Sequence, residues 1–170
     1  MDDSLPMVEM ELREIQIFQI EQQPWQRVLL EERGGRKREL PIYIGDAEAI
    51  FLEMAVKRTA VPRPLAHDLI QNLLHSLGAT LLRVEVVDLR EETFFGRLIV
   101  RNSDGMVVDI DSRPSDALIL AMKSGVPIFV AEKVIDSVLD RGNRDEPSGG
   151  KSPGQGSGPA EPEANDEDDQ

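Results

Sequence analysis

The chain shows the same order of elements twice: three strand-like stretches followed by a nearly all-apolar helix. The first copy comprises strands and a helix at residues 7–20, 27–32, 38–44 and 46–56. The second comprises strands and a helix at residues 81–88, 93–101, 106–111 and 115–123. We therefore predict an internal duplication of a β-β-β-α unit. Chance similarity between amphipathic patterns is the alternative, because the two copies share little identity.

Local signals refine these elements. The alternation in the first strand changes phase near Arg13, which predicts a bulge there. The unit helices are apolar around most of their circumference, which predicts that both are buried. Serine at position 112 or 115 is the expected cap of the second unit helix, with Pro114 in its first turn.

A further helix is predicted between the two units, over residues 63–78. Proline near its start and glycine at its end are typical of helix termini. Its apolar residues predict one broad buried face, formed by Leu65, Leu69, Ile70, Leu73 and Leu77. A closing strand at 128–130 and a short helix at 132–139 complete an α+β domain with a mostly antiparallel sheet.

Composition separates a tail from this domain. Residues 141–170 contain six glycines, four prolines and three serines, and alanine is their only apolar residue type. Such a segment cannot bury enough surface to offset the entropy of ordering. We therefore expect a flexible N-terminus at 1–6, a single domain at 7–140 and a disordered acidic tail at 141–170. The tail holds three basic and eight acidic side chains, which leaves a formal charge of −8 on the rest.

The absence of cysteine excludes several classes of protein. It rules out a disulfide framework, a thiolate zinc site, a thiol nucleophile and an iron–sulfur centre, and it is typical of a reducing compartment. No stretch approaches the roughly 18 apolar residues of a membrane span, so we expect a soluble cytoplasmic protein without a membrane partner. The net charge of −13 argues against tight nonspecific binding to nucleic acid.

His67 is the first candidate for chemistry. At about 100° per residue it lies at the border of the apolar face of the middle helix, with Asp68 and His75 outside that face. A sheltered imidazole beside carboxylates can act as a base or ligate a metal. The alternative is a boundary histidine bonded to a backbone carbonyl. The residue four positions on is Gln71, so the spacing of zinc peptidases is absent.

Residues 109–116, Asp-Ile-Asp-Ser-Arg-Pro-Ser-Asp, form the second candidate. Period two places Asp109 and Asp111 on one strand face, directly before a helix start. Carboxylates at a strand end can hold Mg²⁺ or Mn²⁺. The alternative is that these residues serve only to begin the helix, with the Asp116 carboxylate complementing the helix dipole.

Basic and aromatic residues give weaker signals. Arg33, Arg36, Lys37 and Arg38 form the most basic cluster and are candidate nucleic-acid contacts, although a solvated hairpin tip is the alternative. The phenylalanines and the single tyrosine are scattered, which favours core positions over a stacking platform for bases. No glycine-rich phosphate loop or nucleophile elbow is present.

Three segments in this order resemble the bifunctional nuclease (BFN) domain family. They are Arg-Pro-Leu-Ala-His-Asp-Leu at 63–69, Asp-Ser-Arg-Pro-Ser-Asp-Ala at 111–117 and Gly-Val-Pro-Ile-Phe-Val at 125–130. Ile44-Gly45 and Glu48-Ala49 resemble the upstream segment of the family. The resemblance covers about residues 7–140. It implies a small α+β domain, an oligomer, and nuclease activity on DNA and RNA.

The resemblance carries over a set of motif positions, while their roles follow from chemistry. The positions are Glu48, Arg63, His67, Asp68, Asp111, Arg113, Ser115 and Asp116. In the enzyme hypothesis Asp111 and Asp116, with Asp68 or Glu48, hold Mg²⁺ or Mn²⁺ and His67 activates water. The two arginines hold the phosphate, and Ser115 is a further catalytic candidate.

Two other hypotheses remain open at this point. A noncatalytic interaction or regulatory domain would use the arginines in salt bridges with the aspartates, joining helices to the sheet or subunits to each other. A sugar-phosphate or nucleotide hydrolase would use the same acidic pocket. Convergence of His67, Asp111 and Asp116 on an open cleft would favour the enzyme, and separate packed arginine pairs would favour the rival.

Overall fold

The structure is a computed structural model that describes residues 5–20 and 23–145. Its strands are β1 (Met7–Ile20), β2 (Gln23–Glu32), β3 (Glu39–Ile44), β4 (Thr80–Arg90), β5 (Thr93–Arg101), β6 (Val107–Ser112) and β7 (Ile128–Ala131). Its helices are α1 (Asp46–Val56), α2 (Ala66–Ser76), α3 (Pro114–Ser124) and α4 (Glu132–Asp145). The α+β prediction is confirmed.

The seven strands form one sheet in the order β3-β2-β1-β7-β4-β5-β6. Each predicted unit is an antiparallel meander that runs outward from the centre, and β7 lies between the two. Strand β7 is antiparallel to β1 and parallel to β4, so β1 and β4 run in opposite directions. The two units therefore occupy equivalent positions on either side of β7, with α1 packed against α3.

The register confirms the predicted bulge. The pairing of β1 with β2 shifts between Leu12 and Glu14, where the alternation of the sequence changes phase. Several boundaries differ from the prediction, since β2 begins at Gln23 and β4 extends to Arg90. Sequence alternation fades at strand ends, where side chains leave the core and backbone pairing alone continues the strand.

The core is built from both units. Helix α3 carries five consecutive buried residues, Ala117, Leu118, Ile119, Leu120 and Ala121. They pack with the inward residues of the sheet, among them Val28, Leu30, Leu40, Val84, Val86 and Val100. The prediction of a buried helix holds for α3. For α1 the prediction is only partly right, because Ile50 and Val56 on one side of the helix are exposed.

Helix α2 begins later and turns a different face inward than the sequence predicts. It starts at Ala66, so Pro64 precedes it, and Gly78 with φ +68° follows its end. The predicted face is wrong for Leu69, Leu73 and Leu77, which are exposed, and right for Ile70, which packs inward together with His67 and Leu74. The hydrogen bond from Gln71 Nε2 to Ser124 Oγ, 2.8 Å, helps to set this rotation.

The last helix ends further along the chain than predicted. Helix α4 continues to Asp145 instead of ending at residue 139, and residues 146–170 of the proposed tail lie outside the described residues. At the other end, Pro6 accepts a backbone hydrogen bond from Glu132 N–H at 2.8 Å. Residues 1–4 of the proposed flexible segment are outside the description. Within the described ranges, no helix is long and apolar enough to cross a membrane.

Candidate functional site

The site lies where the N-termini of α1 and α3 meet. Glu48 and Asp116 each occupy the third position of their helix, and the residues before the helices are Gly45 and Arg113. The two units therefore place a carboxylate at equivalent positions. The expected serine cap of α3 is wrong, since Arg113 is the N-cap residue and Ser112 Oγ donates to the Arg113 carbonyl oxygen.

Gly96 in β5 allows α3 to start this close to the sheet. A Cβ atom at this position would lie 3.0 Å from the Ser112 carbonyl oxygen and 3.2 Å from Pro114 Cα. A side chain would push the beginning of α3 away from the sheet. The absent side chain thus helps to position Arg113 and Asp116.

The Arg113 guanidinium joins the two units. Its Nε and Nη2 atoms donate to the two Asp116 oxygens at 2.7 and 3.1 Å, and Nη1 donates to Glu48 Oε1 at 3.0 Å. Such bidentate geometry is a strong form of arginine–carboxylate pairing. The Arg113 side chain is nevertheless 65% exposed, so solvent reaches it. Arg113 is therefore both a bridge between the units and an exposed cation.

His67 extends this chain of hydrogen bonds inward. Its Nε2 atom lies 2.9 Å from Asp116 Oδ1, the residue is 7% exposed, and the centre of the Phe51 ring lies 5.9 Å from that of the imidazole. Burial of Asp116 works to raise its pKa, but the hydrogen bonds from Arg113 and His67 outweigh burial and leave this pKa below its ordinary value. An ionised carboxylate only accepts hydrogen bonds, so Nε2 carries the proton. Neutral His67 then keeps a lone pair on Nδ1.

These residues line a cavity of about 660 Å³. Its polar lining comes from Glu48, His67, Asp111, Ser112, Arg113 and Asp116. Its apolar lining comes from Phe51, Ala66, Ile70, Leu74, Leu98, Ile110 and Leu120. The imidazole and both aspartates therefore line one cavity, as the enzyme hypothesis requires, while Arg113 pairs with Asp116 as the rival hypothesis requires.

Comparison with known proteins decides the family. The model of the bifunctional nuclease domain matches residues 28–140, which include the whole cluster around Arg113. The chain belongs to the bifunctional nuclease domain family. An uncharacterized protein of Mycobacterium tuberculosis is similar to this chain. The two are 40% identical over 118 residues, which cover 69% of this chain and 70% of the relative.

Plant members of the bifunctional nuclease domain family are more distant. Bifunctional nuclease 1 of Oryza sativa subsp. japonica is 23% identical over 113 residues, 65% of this chain and 34% of the relative. Bifunctional nuclease 2 of Arabidopsis thaliana is 26% identical over 109 residues, 63% of this chain and 33% of the relative. The aligned region thus spans about a third of each plant protein.

Asp68 has a structural part in this bifunctional nuclease domain. Its Oδ2 atom accepts the Leu65 N–H at 2.9 Å, and its Oδ1 atom lies 2.6 Å from Lys123 Nζ. Together these contacts close the first turn of α2 and tie it to α3. The Lys123 ammonium and the Leu65 N–H hold the pKa of Asp68 below its ordinary value of 3.8. The predicted catalytic role of Asp68 gains no support from this arrangement.

This lowered pKa predicts an acid-dependent loss of stability. Because the folded-state pKa lies below the unfolded one, the contribution is complete above about pH 4 and is lost as pH falls through the folded-state pKa. Thermal unfolding should show Asp68→Asn less stable than the parent at neutral pH, with the difference shrinking below pH 4. Asp104→Asn is the control, since the Asp104 side chain has no partner among the described residues. A pH-independent difference would contradict the prediction.

The other predicted motif residues lie around the cluster without joining its hydrogen bonds. Asp111 is exposed at the cavity, and within the described ranges its side chain has no hydrogen bond or ion pair. Arg63 precedes α2 and is exposed. Among the residues that the structure describes, it forms no ion pair with a carboxylate. Ser115 lines a second cavity that also includes Arg113.

Three of the four predicted hairpin cations lie at the surface, but Arg38 does not. Its side chain is only 10% exposed, with Nε 2.9 Å from Glu32 Oε2 and Nη1 2.6 Å from Glu132 Oε1. These contacts tie the residue before β3 to β2 and α4 and leave the guanidinium unavailable to a phosphate. Arg33 pairs with Glu9 at 2.9 Å and Lys37 lies 3.4 Å from Glu31, while Arg36 is exposed.

The carboxylates as they stand do not fit a divalent cation. Among the described residues, no group of three or more His, Asp or Glu side chains is arranged to hold one. Both Asp116 oxygens accept from Arg113, and Glu48 also binds this guanidinium. A cation between the two carboxylates would have to take the place of Arg113. Binding of Mg²⁺ or Mn²⁺ stays a prediction.

An aromatic cluster lies on the outer face of β1, β2 and β3, and the expected core position is wrong for Tyr43, which is exposed. The Tyr43 ring lies 6.1 Å from both the Phe18 and the Trp25 rings, edge-on in each case. Scatter along the chain concealed this cluster, because the three residues lie on different strands. Their pairing register and shared strand face could have revealed it.

Proposed function

We propose that this bifunctional nuclease domain hydrolyses phosphodiester bonds of DNA or RNA at the cavity beside His67. The observation that carries the proposal is the hydrogen-bonded series from His67 through Asp116 to Arg113 along one cavity wall. It combines a titratable base, a carboxylate that orients the base and a cation suited to phosphate. The names of the plant relatives support the same class of reaction.

Arg113 can contact a phosphate without leaving its carboxylates. A guanidinium has five N–H donors, of which Asp116 and Glu48 take three in this structure. The remaining two donors belong to an exposed side chain. In the proposed mechanism they hold the phosphate oxygens and stabilise the charge that develops on them.

His67 supplies the base in this mechanism. Asp116 fixes the proton on Nε2 and orients the ring, which leaves the Nδ1 lone pair to accept a proton from the attacking water. The water oxygen bonds to phosphorus while the P–O bond to the leaving nucleoside oxygen breaks. Asp116 stabilises the positive charge of the protonated ring, and the proton that His67 has accepted then passes through solvent to the leaving oxygen. A base positioned in this way accelerates proton transfer by about 10² to 10⁴-fold.

Charge sets the conditions for this reaction. Glu48 and Asp116 together outweigh Arg113 by one negative charge when His67 is neutral, and a phosphodiester adds another. Binding is therefore expected to be weak and sensitive to added cations. A bound divalent cation would offset this negative charge. Cleavage rates measured in EDTA, and again after Mg²⁺ or Mn²⁺ is restored, test whether either ion does so.

The testing experiment is a cleavage assay on the purified chain. Single-stranded and duplex DNA and RNA are incubated with the protein in EDTA, Mg²⁺ or Mn²⁺, and the products are separated by size. We expect cleavage of at least one nucleic acid that disappears in a His67→Gln variant purified identically. Equal cleavage by the variant would assign the activity to a contaminant or to a site that does not use His67. Either that result or no cleavage in any condition would overturn the proposal.

The second candidate is a noncatalytic interaction domain. Its supporting observation is that Arg113 and Lys123 pair with Glu48, Asp116 and Asp68, which joins α1, α2 and α3. If these pairs serve stability alone, Arg113→Ala lowers the melting temperature and no nucleic acid is cleaved. A cytoplasmic location fits both candidates and stays a prediction from the lack of a membrane-spanning stretch in the sequence.

Self-association is part of the proposed function. The exposed leucines of α2 and the exposed apolar side chains of edge strand β6 are the surfaces that we assign to a second copy. Unpaired edge strands can pair antiparallel about a twofold axis, which makes the same surface fit itself. Sedimentation velocity should show the parent as an oligomer and Leu73→Asp as a monomer. Ile50→Asp is the matched control on α1, and a monomeric parent would contradict the prediction.

A further inference from the structure

Two large aromatic side chains remain exposed on the outer face of the first meander. Trp25 on β2 is 46% exposed and Tyr43 on β3 is 53% exposed. The Arg27 guanidinium lies on the same face, 5.3 Å from the centre of the Phe18 ring. Because β2 and β3 pair Arg27 with Tyr43, these side chains form one continuous surface. Its members combine flat apolar rings with a cation.

This surface continues into the proposed site. Tyr43 lines a cavity of about 420 Å³ together with Gly45, Glu48, Thr93, Arg113 and Ser115. Arg113 and Glu48 also line the cavity that contains His67. The guanidinium therefore lies between the base and the aromatic surface. A phosphate held by Arg113 would leave the neighbouring nucleoside free to extend along the second cavity towards Tyr43.

The chemistry of these rings favours one kind of occupant. Unpaired bases stack on exposed aromatic side chains, and each such contact contributes about 1–3 kcal/mol by alanine substitution. In a duplex both faces of each base are already stacked, so they cannot reach the rings without unpairing. An apolar peptide would also cover the rings, but it would make no use of the adjacent Arg113 and Arg27 cations.

We propose that Tyr43 and Trp25 form a base-stacking subsite that makes unpaired, single-stranded nucleic acid the preferred substrate. This inference rests on the proposed function for the position of the phosphate. Tyr43, next to Arg113, stacks the base nearest the bond to be cleaved, and Trp25 takes the following base. Sequence preference is weak, because every base offers a π face.

Trp25 is the only tryptophan of the chain, which provides a direct probe. Its fluorescence is measured while oligothymidylate of about a dozen nucleotides is added to the His67→Gln variant, which prevents hydrolysis during the titration. We expect quenching by the single strand and at least tenfold weaker binding of a duplex of equal length. Adding Tyr43→Leu should weaken single-strand binding about tenfold, while Tyr43→Phe, which keeps the ring, should bind within about twofold.

The outcomes separate this inference from the proposed function. Quenching that is equal for the single strand and the duplex, or unchanged by Tyr43→Leu, overturns the subsite whether or not the parent cleaves nucleic acid. Quenching with the expected preference, in a protein that cleaves nothing, supports the subsite and overturns the nuclease. If Tyr43→Leu changes the sedimentation coefficient and leaves quenching unchanged, a second copy covers the rings and the subsite is overturned.

Discussion

Replacing His67 by glutamine is expected to lower the rate of phosphodiester cleavage by about 10² to 10⁴-fold at neutral pH. The glutamine amide can still donate a hydrogen bond to Asp116, so the contact between α2 and α3 has a substitute. It cannot take up a proton from water, because an amide is not basic at this pH. Initial rates under single-turnover conditions measure the effect on the chemical step.

The second histidine of the chain provides the matched control. His75 lies in the last turn of α2 and is exposed, outside the cavity. His75→Gln should cleave at the parental rate within about twofold, since surface changes away from special contacts have small effects. If His67→Gln retains the parental rate while its circular dichroism is unchanged, His67 is not the base.

Replacing Ile119 by alanine is expected to lower the free energy of unfolding by about 2–5 kcal/mol. This side chain is 1% exposed in the middle of α3, and its removal leaves a cavity that the packed neighbours cannot fill. The same substitution at Ile50 on α1, where the side chain is 57% exposed, should change stability by about 0.5 kcal/mol or less.

This pair of variants isolates burial from helix propensity. Both positions lie within helices, so alanine gains the same intrinsic preference at each. Urea unfolding at several protein concentrations separates the effect on folding from any effect on association. Equal destabilisation at the two sites would show that α3 is not the rigid element of the core. A loss of stability at Ile119 alone would indicate that α3 is the rigid element that positions Arg113 and Asp116.

The fold was predictable where side-chain alternation and packing agree. Strand β5 has the predicted bounds, and the bulge in β1 lies where the alternation changes phase. Helix faces were less predictable, because leucines at four-residue spacing identify an apolar stripe without saying what covers it. In α2 the contacts of His67, Ile70 and Leu74 with the rest of the domain determine the buried face.

The sequence predicted only some members of the hydrogen-bonded cluster and did not predict their pairing. His67, Arg113 and Asp116 were singled out by the helix pattern, the acidic stretch before α3 and the family resemblance, and the structure joins these three by hydrogen bonds. The partnership of Arg113 with Glu48 was not predictable, since the two residues are 65 positions apart and meet only when α1 packs on α3. The burial of Arg38 was not predictable for the same reason, because its partner Glu132 lies 94 positions away.

The equivalence of the two meanders means that neither half of the chain encodes the site by itself. Glu48 comes from the first β-β-β-α unit, Arg113 and Asp116 from the second, and His67 from the connector between them. The site thus resembles a subunit interface that has been fused into one polypeptide. A fragment ending before β4 would contain a single carboxylate of the cluster and no guanidinium to bridge it. The proposed chemistry is therefore a property of the junction, because the cluster forms only when both halves have folded against each other.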